Sequence, residues 1–222
     1  MRRLRTLLSW SSGKDSAWTL HTLRHDERYD VVGLMTTINS AADRVAMHAV
    51  RSELLRRQAT ATGLPVWELS IPSPCSNEHY EAVLRQAIER AKAEAIDCFA
   101  FGDLFLQDIR DYREQQLRGT GLTPLFPIWG HDTHELAREM IAGGLRARIT
   151  CVDPRVIPAG LAGREFDLQL LCDLPPTADP CGERGEFHTF AYDGPMFRAP
   201  IPISSGEIVT RDGFVFADLI PA

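Results

Sequence analysis

Two short segments carry most of the side chains able to do chemistry. The first, Ser11-Ser12-Gly13-Lys14-Asp15-Ser16, follows the apolar run Leu4 to Leu8 and leads straight into the helical pattern Ala17, Trp18 and Leu20. Strand, tight turn and helix in that order gather backbone N–H groups and the positive end of a helix at one spot, an arrangement that binds phosphate. Gly13 lets the backbone approach an anion, Lys14 adds a point charge, and Ser11, Ser12 and Ser16 offer hydroxyl donors. The spacing is not that of Walker A, in which Ser or Thr follows the lysine, because Asp15 follows Lys14 here. The plainer alternative is a serine-rich helix start with a solvated lysine. The second segment runs from Asp179 to Thr189 and places Glu183, Glu186, Arg184, His188 and Thr189 around Gly182 and Gly185. Two nearby carboxylates can bind an ammonium ion, take its proton or hold a metal, and a histidine such as His188 could shuttle a proton near neutral pH. By composition alone, the commoner reading of such a segment is a polar turn with solvated charges.

These segments need a scaffold, and the chain alternates strand and helix patterns at regular spacing. A helix is expected from Ser16 to His25, a strand over Val31 to Thr36, and a helix over Ala46 to Thr62 that Gly63 and Pro65 stop. Strands at Val66 to Ile71 and Ile96 to Phe101 flank a helix that Ser76 or Asn77 caps. Such alternation implies a doubly wound parallel sheet with ligands at the carboxyl ends of its strands. The first loop and Gly102-Asp103 should share that edge, with Asp103 facing phosphates directly or through Mg²⁺. A turn aspartate that caps its own loop is the alternative for Asp103. A further helix is expected over Asp108 to Leu117. The composition changes at Thr123 to Gly130, where two prolines sit among large apolar residues. We place a boundary there, between a unit that carries the first loop (1–130) and a smaller α+β unit (131–222). The latter opens with a helix from His134 to Ala142 and a strand from Arg148 to Val152, and is mostly β toward its end.

Whole-chain properties narrow the function. With 222 residues, 44% hydrophobic and 24% charged, the chain has the makeup of a soluble globular protein. A net charge of −6 argues against a general nucleic-acid or acidic-membrane partner. Five scattered cysteines without a C-x-x-C pair indicate neither a zinc knuckle nor a dithiol, and together with the lack of a signal-like start they fit the cytoplasm. Lys14 and Lys92 are the only lysines, which sets Lys14 apart. Late Phe and Pro segments are candidates for a homodimer contact.

The first segment resembles the pyrophosphate loop Ser-Gly-Gly-x-Asp-Ser of ATP pyrophosphatases, with Ser12 in place of a glycine. The second, Asp179 to Phe190 continued by Asp193-Gly194-Pro195-Met196-Phe197, closely resembles the hallmark of the diphthine–ammonia ligase family. Met47-His48, Gly102-Asp103, Tyr112-Arg113 to Trp129-Gly130 and Gly163 to Asp167 match in order, so the likeness covers nearly the whole chain. The wording is nearest to short bacterial-type members. Arg184 departs from the family, which often has Asn there, and this bears on which substrate fits.

The resemblance implies an adenine nucleotide α-hydrolase-like, Rossmann-like core and an AMP-forming ligase. An acceptor carboxylate attacks the α phosphate of ATP to give an acyl-adenylate and pyrophosphate, and ammonia then displaces AMP. Catalysis falls to Lys14, Glu183, Glu186 and His188. The nucleotide falls to Ser11 through Ser16, Thr36, Thr37, His48, Gly102 and Asp103, and Mg²⁺ to Asp15 and Asp103. The acceptor is left open, being diphthine on a translation elongation factor only where the organism makes it. Other readings are a nucleotide switch without chemistry and a pyrophosphatase with another small-molecule acceptor. A tRNA-modifying pyrophosphatase is less suited, because it favours paired cysteines or a basic surface.

Overall fold

The computed structural model describes residues 2–41, 43–45, 49–72 and 74–222. The expectations for Met47 and His48 therefore lie outside the described residues. In chain order the elements begin with β1 (Leu4–Ser9), α1 (Lys14–Arg24), β2 (Tyr29–Asn39), β3 (Arg44–Val45) and α2 (Ser52–Thr62). Then come β4 (Val66–Ile71), α3 (Asn77–Ala93), β5 (Cys98–Ala100), α4 (Gln107–Leu117), β6 (Thr123–Leu125) and α5 (Thr133–Ala142). The remainder is β7 (Arg146–Val152), α6 (Leu168–Asp173), β8 (Phe187–Asp193), β9 (Ile203–Arg211) and β10 (Phe214–Pro221).

The first sheet runs β4-β2-β1-β5-β6, all parallel, with the short β3 antiparallel to the last two residues of β2. From β1 the chain builds outward on one side through β2 and β4, then crosses to the other side for β5 and β6. The order reverses between β1 and β5, and in such sheets the crevice at the carboxyl ends of those two strands takes the ligand. β1 sits at the centre because both its faces are apolar. Leu7 and Leu8 alternate, so Leu7 packs with Ala87 and Ile88 of α3 while Leu8 packs with Leu20 of α1 and Leu54 of α2.

The second sheet runs β8-β7-β10-β9 and is antiparallel throughout. It does not stand apart, since Ile149 of β7 and Phe187 and Phe190 of β8 belong to the same contiguous buried cluster as Leu8 and Leu54. An α/β sheet with a mostly β second part is what the sequence indicates.

Local signals explain most element ends. The Ser76 hydroxyl accepts from the His79 N–H and caps α3, and Gly63 takes the left-handed conformation (φ 73°) that ends α2. The structure departs from the expectations at several points. α1 begins at Lys14, two residues early, so the ammonium and its neighbour Asp15 lie in the first turn. α2 begins only at Ser52, because Ala49 sits at φ 55° and Arg51 bridges Arg44 in an extended conformation. β9 has no counterpart in the sequence reading: its Ser-Ser-Gly-Glu start lacks an apolar alternation. The late phenylalanines expected at the surface are buried at 187 and 190 and half-buried at 214 and 216.

Candidate functional site

The first loop lies at the carboxyl end of β1, beside Gly102 at the end of β5. A side chain at Gly102 would sit 3.2 Å from the Ser16 backbone nitrogen, so glycine lets the end of β5 lie against the first turn of α1. Within the loop, the Gly13 N–H donates to Ser11 Oγ (3.2 Å), the Ser16 hydroxyl donates to Gly13 O (3.0 Å), and Ser11 and Ser16 share a hydroxyl pair at 3.1 Å. Gly13 is the N-cap of α1, with no side chain capping the helix. The residue in left-handed conformation is Ser12 (φ 69°), not Gly13. That is why a glycine suits position 12, and a serine there is less innocuous than its adaptability suggests. Ser12 is fully buried, and its hydroxyl has no hydrogen-bond partner among the described residues.

The second segment folds onto this loop. The Lys14 N–H donates to Thr189 Oγ1 (3.1 Å), and the Ala191 N–H donates to Ser12 O (2.9 Å). Gln58 of α2, which the sequence did not single out, joins the same contact. Its amide nitrogen donates to Ser12 O (3.0 Å) and Ala191 O (2.5 Å), and its oxygen accepts from the Trp10 indole (2.9 Å).

Lys14 is only 2% exposed, and its ammonium turns toward the second segment. It donates to both Asp15 oxygens (2.8 Å each) and to Cys181 O, and lies 5.5 Å from the ring centres of Phe166 and Phe187. Burial is the strongest single influence and works against this charge, yet Asp15, Cys181 and Asp179 together hold the lysine above its usual pKa.

Glu183 and Glu186 part company. Positive φ at Gly182 (70°) and Gly185 (88°) turns the chain tightly between them. Glu186 is 2% exposed, and its two oxygens accept from the Asp179 and Arg184 N–H groups (2.9 Å each). Both oxygens therefore serve the shape of its own turn. Asp179 completes the turn by accepting from the Glu183 N–H (2.9 Å). Glu183 faces the cleft instead, with one oxygen accepting from the Leu104 N–H (2.8 Å). Burial pushes its carboxyl up to about 7, against the pull of that N–H.

Two cavities open at this edge. One, of about 430 Å³, is lined mainly by apolar side chains, among them Met35, Leu69, Phe99 and Ile109, with Thr36, Thr37 and Glu183 at its wall. The other, of about 210 Å³, is polar and lined by Ser11, Lys14, Asp15, Ser16, Gly102, Asp103, His188 and Thr189. Both are also bordered by Ser9, Ser11, Phe101, Asp103, Arg113 and His188, so they form one two-lobed cleft. Burial holds His188 down at about 4, with Lys14 adding to the effect, so its imidazole is neutral at neutral pH.

Arg113 is a second residue that sequence reasoning left without a role. Its guanidinium lies 3.7 Å from Asp103 and 5.1 Å from the Phe101 ring centre, and borders both lobes. The only signal for it was an arginine on a helix beside the phosphate edge. Asp103 Oδ2 has no hydrogen-bond partner among the described residues, and burial raises its carboxyl against the pull of Arg113. A carboxylate oxygen of this kind in the polar lobe is chemically suited to Mg²⁺. Asp15 lines the same lobe, although its oxygens are on Lys14. Among the described residues no group of three or more His, Cys, Asp or Glu forms a metal site by itself. No helix there is long and apolar enough to cross a membrane. Cys181 is inert, its buried thiol pushed far up.

Fold and site together define an α/β protein with a switch-point cleft that is apolar at one end and polar at the other. The model of the diphthamide synthase N-terminal domain matches residues 4–124, that of the C-terminal domain matches residues 132–218, and the chain belongs to this family. It is similar to the diphthine–ammonia ligase of Bos taurus (28% identity, covering 85% of this chain and 70% of the relative). It is similar also to those of Homo sapiens (27%; 82% and 69%) and Mus musculus (26%; 93% and 85%).

Proposed function

We propose that this chain is an ATP-dependent amide ligase of the diphthine–ammonia ligase type, which activates an acceptor carboxylate as an acyl-adenylate and passes it to ammonia. The observation that carries this reading is the contact of the two segments around one cleft, through Lys14 with Thr189 and Cys181 and through Ser12 with Ala191.

In this reading adenine enters the apolar lobe, beside Thr36 and Thr37, and the phosphates enter the polar lobe. The first turn of α1 and the hydroxyls of Ser11 and Ser16 hold the pyrophosphate, and an electrostatic donor of this kind is typically worth about 10²–10³ in rate. Arg113, at the junction of the lobes, holds the α phosphate. Asp103 and Asp15 would hold Mg²⁺, which when bound offsets phosphate charge. Lys14 acts from behind the loop, neutralising Asp15 and fixing the second segment.

The acceptor carboxylate oxygen bonds to the α phosphorus as pyrophosphate departs. Glu183 then takes a proton from ammonium. A carboxyl titrating at about 7 is matched to that task, being partly ionised at neutral pH yet basic enough to accept. Ammonia attacks the acyl carbon and AMP leaves. Neutral His188 borders both lobes, where it hydrogen-bonds the acceptor without repelling ammonium. The acceptor carries a carboxylate, and in an organism that makes diphthine that residue on the translation elongation factor is the first choice.

The test is an incubation with ATP, ammonium and acceptor, following AMP, pyrophosphate and amide. The ligase forms all three in equal amounts and makes no amide without ammonium. AMP release independent of ammonium would point to a pyrophosphatase with another acceptor. Nucleotide binding with no AMP would point to a switch.

A further inference from the structure

The outer strand of the second sheet is an open edge of an unusual kind. Among the described residues β9 is paired only on its β10 side. Natural edges are commonly blunted by proline, lysine or a covering loop. Across residues 203–211 there is no proline and no lysine, and Ile208 (63% exposed) and Val209 (39%) stand in solvent. Ile208 is the most exposed of the large hydrophobic residues described.

The register of the hairpin says which atoms face outward. Asp212 and Gly213 form a two-residue turn with φ of 52° and 83°, the type that closes a hairpin on a hydrogen-bonded pair, here Arg211 with Phe214. Pairing then runs unbroken through Thr210 with Val215, Val209 with Phe216 and Ile208 with Ala217. Alternation sends the backbone N–H and C=O of Arg211 and Val209 to β10 and those of Ile208 and Thr210 to the open edge.

We propose that β9 pairs with β9 of a second copy of this chain, antiparallel about a two-fold axis through Val209. Placing the axis there sets Ile208 of one copy opposite Thr210 of the other, and these are the residues whose backbone groups point outward. It also sets Glu207 opposite Arg211 twice over, joining opposite charges that are both exposed in the single chain. Val209 faces itself across the closely spaced pair, and the two Ile208 side chains become diagonal neighbours on the other face. The interface is isologous, as a closed dimer requires, and it joins the two four-stranded sheets into one of eight strands. A parallel pairing, or an axis moved by one residue, loses either the outward hydrogen bonds or the charge match. Self-association at this edge is the one partner for which the strand carries its own complement.

The test is the mass of the full-length chain by light scattering and sedimentation velocity at micromolar concentrations, expected at twice the chain mass. Thr210→Pro removes one outward N–H per copy and leaves the bonds to β10 intact, so it should give a folded monomer. Glu207→Arg alone and Arg211→Glu alone should each weaken dimerisation by about tenfold or more, and the double swap should restore it. The charge series needs no folding assumption about proline. A monomeric wild type overturns the proposal, as does a dimer indifferent to all three changes or a double swap that fails to rescue.

Discussion

Glu183→Gln offers the sharpest separation of chemistry from stability. The carboxyl has an ordinary value of 4.5 and is held at about 7 in the fold, chiefly by burial. A folded-state value above the unfolded one means that the folded chain binds more protons between these limits, so stability falls as pH rises through the window. The penalty is absent below about pH 4.5, grows toward 7 and is complete above it. At about 1.4 kcal/mol per pKa unit the full span is on the order of 3 kcal/mol, and partial exposure of Glu183 to solvent reduces this to about 1–2 kcal/mol. Glutamine keeps an oxygen for the Leu104 N–H and cannot ionise. The variant should therefore match wild type in urea near pH 5 and exceed it by about 1–2 kcal/mol near pH 8.5, with nucleotide and metal removed. Taking the difference between the two proteins cancels His188, which titrates in both. The same variant should bind ATP and form no amide, while the wild-type rate should climb through about pH 7. A stability difference that is flat with pH, or a variant that makes amide at the wild-type rate, would refute the reasoning.

Two further substitutions separate structural from chemical roles. Glu186→Ala strips two buried backbone N–H groups of their carboxylate and should cost about 3 kcal/mol or more by chemical denaturation; a loss below about 1 kcal/mol contradicts the assignment to the turn. Ser12→Gly relieves the left-handed strain, about 1 kcal/mol, and removes an orphan hydroxyl, against about 0.5–1 kcal/mol of added chain entropy, so the melting midpoint should rise. A lower midpoint would mean that the hydroxyl has a role in the loop.

The parts of the molecule that rest on periodicity were legible in the sequence. The apolar run of β1, the Gly63 stop and the Ser76 cap are local signals, and with the strand–helix alternation they sufficed to indicate a parallel sheet and to expect the loop and Gly102-Asp103 on one edge. Side-chain direction within the site was not. Glu183 and Glu186 are alike in type and only three residues apart, yet the two left-handed glycines decide that one faces the cleft and the other faces its own backbone. Lys14 reads as a phosphate ligand from its place in the loop, while its ammonium is claimed by Cys181 O, a partner 167 positions away. Gln58 gave no signal and Arg113 only a weak one, because their roles come from elements packed against them, and β9 gave none because an edge strand exposed on both faces has no alternation to read.

Gln58 also bears on how the chain can be divided. One amide of α2 ties the Ser12 loop to a strand of the second sheet, and the loop draws further partners, Thr189 and Cys181, from that same distant stretch. Half a protein would therefore carry a loop with nothing to mould it. The two halves share one inheritance: neither can be exchanged for a cousin's without also exchanging the residues that grip across the seam.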